Sequence, residues 1–250
     1  MNCTRILPTL AALCVWLLPA SAAAAPAQLR LINLVQQTDT VHVRLYREAD
    51  GACKTVALVA DSVGDTLSLP AGRYRFEVRV HGHVASTFRY GLGDGESYGL
   101  VLYGVYMPPT HQSWLTRVKT ALGGSDRRLV NGYQLSHRMV TMRPGNPSGA
   151  AILRIANMAP GSVQVSGHFK SGQQSVALGA VPYADVGDRV RINQRDGWLG
   201  LRFSGSPRAF VTHQLHLPPG SNTMVYLVSA DADHAVIVID QRLPLQATSK

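Results

Sequence analysis

The sequence predicts an all-β chain: two tandem β-sandwich domains joined by a longer segment that contains a short helix. Three observations predict it. Apolar and polar residues alternate with period two, as in Val41, Val43 and Leu45 against His42, Arg44 and Tyr46, or Tyr74, Phe76, Val78 and Val80 against Arg73, Arg75, Glu77 and Arg79. Turn-forming residues punctuate these runs at Asp50-Gly51, Pro70-Ala71-Gly72, His81-Gly82-His83, Gly93-Asp94-Gly95 and Pro218-Pro219-Gly220. The chain also repeats itself. Leu29-Arg30-Leu31-Ile32-Asn33-Leu34 is matched by Leu153-Arg154-Ile155-Ala156-Asn157-Met158, Gly64-Asp65 by Gly187-Asp188, and Leu92-x-x-Gly95 by Leu217-x-x-Gly220, at offsets of 124, 123 and 125 residues.

Residues 1–25 have the order of a secretory signal: Arg5, an apolar run from Ile6 to Leu18, then Pro19 and small residues from Ala20 to Ala25 with A-x-A frames. The run is short for a retained membrane span, which needs about 20 apolar residues. Leu13 stands before Cys14 where a lipoprotein would need a small residue. The expectation is therefore an exported, periplasmic protein with no transmembrane segment after cleavage. Loss of the signal takes Arg5 and no acid, so the net charge of +9 becomes +8. It also takes Cys3 and Cys14, leaving Cys53 alone, which excludes an intramolecular disulfide or a cysteine metal cluster.

The first sandwich is assigned to residues 26–106 and the second to 150–250, each of roughly seven strands. Tyr98 to Tyr106 and Met224 to Val228 are nearly continuously apolar, as strands in the centre of a core should be. Between the copies, residues 107–149 hold a helical stripe of Trp114, Leu115, Val118 and Leu122, with Ser113 to cap it and Gly123-Gly124 to end it. Pro144-Gly145-Asn146-Pro147 marks the next boundary. A segment of this length usually has work to do. The Trp114 stripe either binds a partner or packs on the neighbouring domain.

The chemistry-bearing motifs lack the context their chemistry needs. Gly95-Glu96-Ser97-Tyr98-Gly99 fits G-x-S-x-G, but Leu100 to Tyr103 reads as strand where a nucleophile elbow requires a helix. Asp231-Ala232-Asp233-His234 has an Asp-x-x-His pair without a Gly-Asp-Ser block upstream; Asp61-Ser62 follows Ala60. It is read as a polar hairpin tip. His81 and His83 flank a turn glycine, and His213 and His216 point to opposite strand faces, so no metal site and no cofactor is expected. No G-K-[ST] phosphate loop is present, and the arginines are spread over both copies of an exported chain, so nucleic acid is not expected as a partner. The expectation is a protein that is not an enzyme.

What remains is surface binding. Trp198 and Arg202 alternate with Leu199, Leu201 and Phe203, so ring and cation share an outer face, and Arg189, Arg191 and Asn193 are placed on the outer face of an earlier strand. An exposed indole beside guanidinium groups offers an apolar platform for a sugar ring and donors for hydroxyls or carboxylates. The alternative is that Trp198 covers an edge or meets the inter-domain segment, and that the arginines are merely solvated. A polar face in the first copy carries His42, Arg44, Tyr46, Arg73, Arg75 and Arg79.

The repeat also carries a resemblance. Gln28 to Asn33, Val41-His42-Val43, Leu67 to Tyr74 and Leu92 to Val101 resemble a small β-sandwich domain of unknown function found in exported bacterial proteins. Paired copies behind a signal, each opened by a strand ending in Arg-x-x-Asn (Arg30 to Asn33, Arg154 to Asn157), resemble the AlgF-type periplasmic accessory proteins of alginate O-acetylation. The 107–149 segment is longer than that pattern and bears Trp114, so cellulose or another glycan fits as well as alginate. The resemblance implies a non-catalytic adaptor that works with periplasmic or membrane O-acetylation and polysaccharide-secretion proteins, with the polysaccharide itself as a further partner. The alternative is a glycan-binding or cell-surface module unrelated to acetylation.

Overall fold

A computed structural model describes residues 25–106, 134–143, 145, 148–162, 164–204, 209–230 and 235–243. The structure is all-β, and the described residues contain no helix. The signal segment, the helix expected around Trp114, and the Asp231–His234 tip all lie outside the described residues.

The first half runs β1 (Ala27–Gln36), β2 (Thr40–Arg47), β3 (Cys53–Val59), β4 (Ser62–Val63), β5 (Leu67–Leu69), β6 (Gly72–Val80), β7 (His83–Leu92), β8 (Ser97–Val105) and β9 (Ser136–Thr141). The second runs β10 (Ala151–Asn157), β11 (Gln164–Ser171), β12 (Gln174–Pro182), β13 (Asp185–Val186), β14 (Val190–Ile192), β15 (Asp196–Phe203), β16 (Val211–His216), β17 (Asn222–Ala230) and β18 (Ala235–Arg242). There are more strands than the seven per copy expected, because β4, β5, β13 and β14 are too short to show alternation. Strand β9 falls within the segment read from sequence as the connection.

Each half builds two sheets in the same order. In the first, β3-β2-β6-β7 is antiparallel throughout, and β1 runs parallel to β8 with β4 and β5 on one flank and β9 on the other. In the second, the sheets are β12-β11-β15-β16 and β13-β10-β17-β18, with β14 also on β10 and with β10 parallel to β17.

Four sheets and three apolar layers result. Leu29, Leu31, Leu100 and Leu102 meet Val43, Leu45, Phe76 and Val78 inside the first sandwich. Leu153, Ile155, Val225 and Leu227 meet Val165, Phe169, Leu199 and Leu201 inside the second. The third layer joins the halves: Ile32, Leu34, Val101 and Met142 from the first pack with Ala156, Met158, Met224, Tyr226 and Val228 from the second. Strands β1, β8, β10 and β17 are thus covered on both faces, which is why β8 and β17 read as nearly continuous apolar runs. The two remaining sheets present their far faces to solvent.

The matched asparagines and glycines of the repeat have duplicated structural roles. Asn33 Nδ2 donates to the carbonyls of Leu58 (3.2 Å) and Val59 (3.0 Å), and Asn157 Nδ2 to that of Val181 (3.2 Å), so each buried amide ties β1 or β10 to strand backbone of the facing sheet. Gly64 N–H donates to Leu31 O and Gly187 N–H to Ile155 O, both at 2.9 Å. A β-carbon at either glycine would press on Leu58 or Val181, so the close approach demands glycine. Gly95 and Gly220 adopt φ of 64° and 68° and donate to Ala25 O and Gly149 O at 2.8 and 2.9 Å, closing the same turn twice.

Candidate binding surfaces

The outer face of the β12-β11-β15-β16 sheet carries Trp198. Leu199 and Leu201 turn inward to the core, so the pleat turns Trp198 and Arg202 outward, where the indole is 51% exposed. Antiparallel register places Lys170 of β11 directly opposite Trp198 on one side and Gln214 of β16 on the other. Arg202 lies opposite Ser166 and donates from Nε to its Oγ at 3.2 Å. Between the two stands Gly200, whose missing β-carbon leaves room for the His168 imidazole, packed so closely that any side chain there would collide with it. The result is a shallow band of indole, imidazole and guanidinium, spanning about 14 Å from Trp198 to Arg202 at the rise of an extended strand. Sequence reasoning identified Trp198 and Arg202 but not Lys170, His168 or Gln214, because cross-strand register is not written in any local pattern.

Arg189 and Arg191 do not join this band. Strand β14 pairs with β10 in the inner sheet, where Arg191 lies opposite Ile152 while the next residue, Ile192, enters the core of the second sandwich. Arg191 therefore faces away from the layer that separates it from Trp198. Alternation distinguishes inward from outward but not which sheet a strand joins. Trp114 lies outside the described residues.

The outer face of the β3-β2-β6-β7 sheet is different in character. Arg44, Arg73, Arg75, Arg79 and Arg89 share it with Glu77, and Glu48, just past the end of β2, pairs with Arg89 at 2.9 Å. Arg79 Nε donates to Glu77 Oε1 at 2.6 Å and Arg44 stands 3.9 Å away. The Arg79 hydrogen bond, then the surrounding guanidinium charge, holds the Glu77 carboxyl below its usual range. The Arg75 guanidinium lies 4.5 Å from the centre of the Tyr46 ring, directly across the ladder. Superposing the two registers, Tyr46 and Arg75 occupy the places of Lys170 and Trp198. Each half thus has an aromatic opposite a cation at the same point of its outer sheet, with the two roles exchanged between strands.

The Gly95–Gly99 and His81–His83 motifs have structural roles in the fold. Ser97 opens β8, is buried, and accepts a 2.6 Å hydrogen bond from Arg242, so Gly95 to Gly99 forms a turn into a strand. His81 (φ 49°) and Gly82 (φ 79°) make the tight turn between β6 and β7. Among the described residues no three His, Cys, Asp or Glu side chains gather as a metal site, and no helix is long and apolar enough to cross a membrane. Cys53 is exposed at the start of β3, on the rim of an apolar cavity of about 220 Å³ that Leu45, Leu69, Pro70 and Tyr74 help to line.

Neither a protein-family model nor a curated protein matches this chain. Two solved structures are similar to it. One is a DUF3823 family protein from Bacteroides ovatus, at 12% identity and a TM-score of 0.23, over 77% of this chain and 97% of that one. The other is a candidate cell adhesion protein from the same species, at 8% identity and a TM-score of 0.22, over 90% of this chain and all of that one. Neither is described as acting in polysaccharide acetylation. No property is carried over from either.

Proposed function

We propose that this protein is a non-catalytic, exported binding module that holds a glycan on the outer sheet around Trp198. The observation that carries this reading is the exposed indole set in register between Lys170 and Gln214, with His168 and Arg202 along the same band. A half-exposed tryptophan on an otherwise polar sheet gains nothing for the core, whereas its face suits the C–H face of a sugar ring and its neighbours supply donors for hydroxyls. In the cell, this module acts in the periplasm as an accessory protein in O-acetylation of an exported exopolysaccharide such as alginate or cellulose. That narrower assignment draws on the sequence resemblance carried by Arg30 to Asn33 and Arg154 to Asn157.

Two experiments test the two levels. Titration of the mature protein with cellohexaose should show saturable binding that Trp198→Ala reduces by about tenfold, ~1.4 kcal/mol, without lowering the melting temperature; equal binding by both proteins refutes the surface. Deletion of the gene should lower the acetyl content per sugar of the exopolysaccharide while its yield holds. Unchanged acetylation removes the accessory role and leaves a glycan-binding module.

A further inference from the structure

We propose that the arginine face of the β3-β2-β6-β7 sheet is a second binding surface, separate from the Trp198 band, and that its occupant is an extended acidic polysaccharide bearing carboxylates. The argument begins with a cost. Arg75 and Arg89 are direct cross-strand partners, and like charges opposed in this way destabilise a sheet. Arg89 is 76% exposed and reaches across β6 to Glu48, just past the end of β2, at 2.9 Å, while Arg75 rests on the Tyr46 ring. Arg75 itself shows no ion pair among the described residues. Arg73, two residues before Arg75 on the same face, is exposed and shows no ion pair among the described residues. The acids at this face are already engaged, Glu77 by Arg79 and Arg44 and Glu48 by Arg89.

Geometry selects the class of ligand. Arg73, Arg75 and Arg79 follow one strand, with alternate residues about 7 Å apart, and Arg44 and Arg89 flank them on neighbouring strands. This is a flat, linear array without an enclosing pocket, so a single small anion would meet only one or two donors. A polymer with a carboxylate on successive sugars meets the whole row. The planar guanidinium fork matches a carboxylate with two parallel hydrogen bonds, and the Tyr46 ring holds Arg75 in place before any ligand arrives. The two outer sheets lie at opposite ends of the four-sheet stack, so the molecule has one face suited to a sugar ring and another suited to its charge.

The test compares binding of polygalacturonate and of cellohexaose by the mature protein at low salt. The double variant Arg73→Ser/Arg75→Ser, and independently Arg89→Ser, should lose at least about tenfold in affinity for polygalacturonate, ~1.4 kcal/mol. Cellohexaose affinity and melting temperature should be preserved, since these side chains lie on the surface away from Trp198. Added salt should weaken the polygalacturonate complex far more than the cellohexaose complex. Polygalacturonate binding that survives both arginine variants overturns the inference. So does its loss in Trp198→Ala alone, which would place both sugars on one surface and leave the proposed function standing. Binding of phosphatidylglycerol vesicles through these arginines, without binding of the polymer, also overturns it, by making the occupant a membrane.

Discussion

Arg30 and Asp240, 210 residues apart in sequence, meet at 2.6 Å where the two halves of the protein join. The Asp240 side chain is fully buried, and it also receives Arg242, the next residue on the same face of β18, at 3.4 Å. Arg242 reaches back into the first half, donating to Ser97 Oγ and to Tyr98 O at 2.6 Å each. One carboxylate thus pairs with two arginines in the layer that holds the sandwiches together, and the arginines satisfy polar groups of the opposite half. Beside it, burial pushes the Tyr226 hydroxyl far above its ordinary range and keeps it neutral.

Removing that carboxylate should loosen the junction. Asp240→Asn leaves Arg242 buried without its counter-charge, at a cost of about 3–5 kcal/mol. The expected fall in melting temperature is about 6–20 °C, read by thermal unfolding. The exposed Asp94→Asn serves as control and should change stability by less than about 0.5 kcal/mol. Equal melting of the two variants would show that the apolar layer alone joins the halves.

The Arg-x-x-Asn asparagines should matter equally in both halves. Asn33 and Asn157 are buried and each bonds the facing sheet while its Oδ1 accepts a backbone N–H two residues on, from Val35 or Ala159. Asn33→Ala or Asn157→Ala leaves those carbonyls and amides without a partner and should cost about 1–3 kcal/mol each. Amide exchange should quicken in β3 for the first and in β12 for the second. A purely functional asparagine would leave both exchange patterns unchanged.

Gly200 should be required for the shape of the Trp198 band. Gly200→Ala displaces the His168 ring, and we expect weaker cellohexaose binding together with a lower melting temperature. Adding His168→Ala removes the clash, so the double variant should recover its melting temperature without recovering affinity. Recovery of both would show that the imidazole contributes nothing to the sugar surface.

Acid should destabilise the fold through specific carboxylates. A bidentate hydrogen bond from Arg47 holds Asp50 down to about 2, and Arg79 and Arg143 hold Glu77 and Glu96 below their usual range. These groups have folded-state pKa values below their unfolded ones. Their contribution is present above the ordinary carboxylate range, about pH 4, and is lost as pH falls toward 2. Melting temperature should decline across that window, and Glu96→Gln should make the decline shallower. An identical pH profile in that variant would remove Glu96 from the account.

The sequence by itself determined the class of fold and its duplication. Strand pleating has a period of two residues, so His42 against Val43 or Trp198 against Leu199 is a local signal that survives without knowledge of any partner. Close approaches and left-handed turns demand particular residues, so Asn33, Gly64 and Gly95 recur as Asn157, Gly187 and Gly220. Only the tertiary structure decided which strands share a sheet. That choice put Arg191 on the inner sheet, set Lys170 beside Trp198, and opposed Arg75 to Arg89. It also decided that β1, β8, β10 and β17 owe their apolar second faces to the other half of the chain, and that Asp240 answers Arg30. Such contacts join residues that are tens to hundreds of positions apart, and no periodicity along the chain encodes them; the fold chooses them by burying complementary faces together.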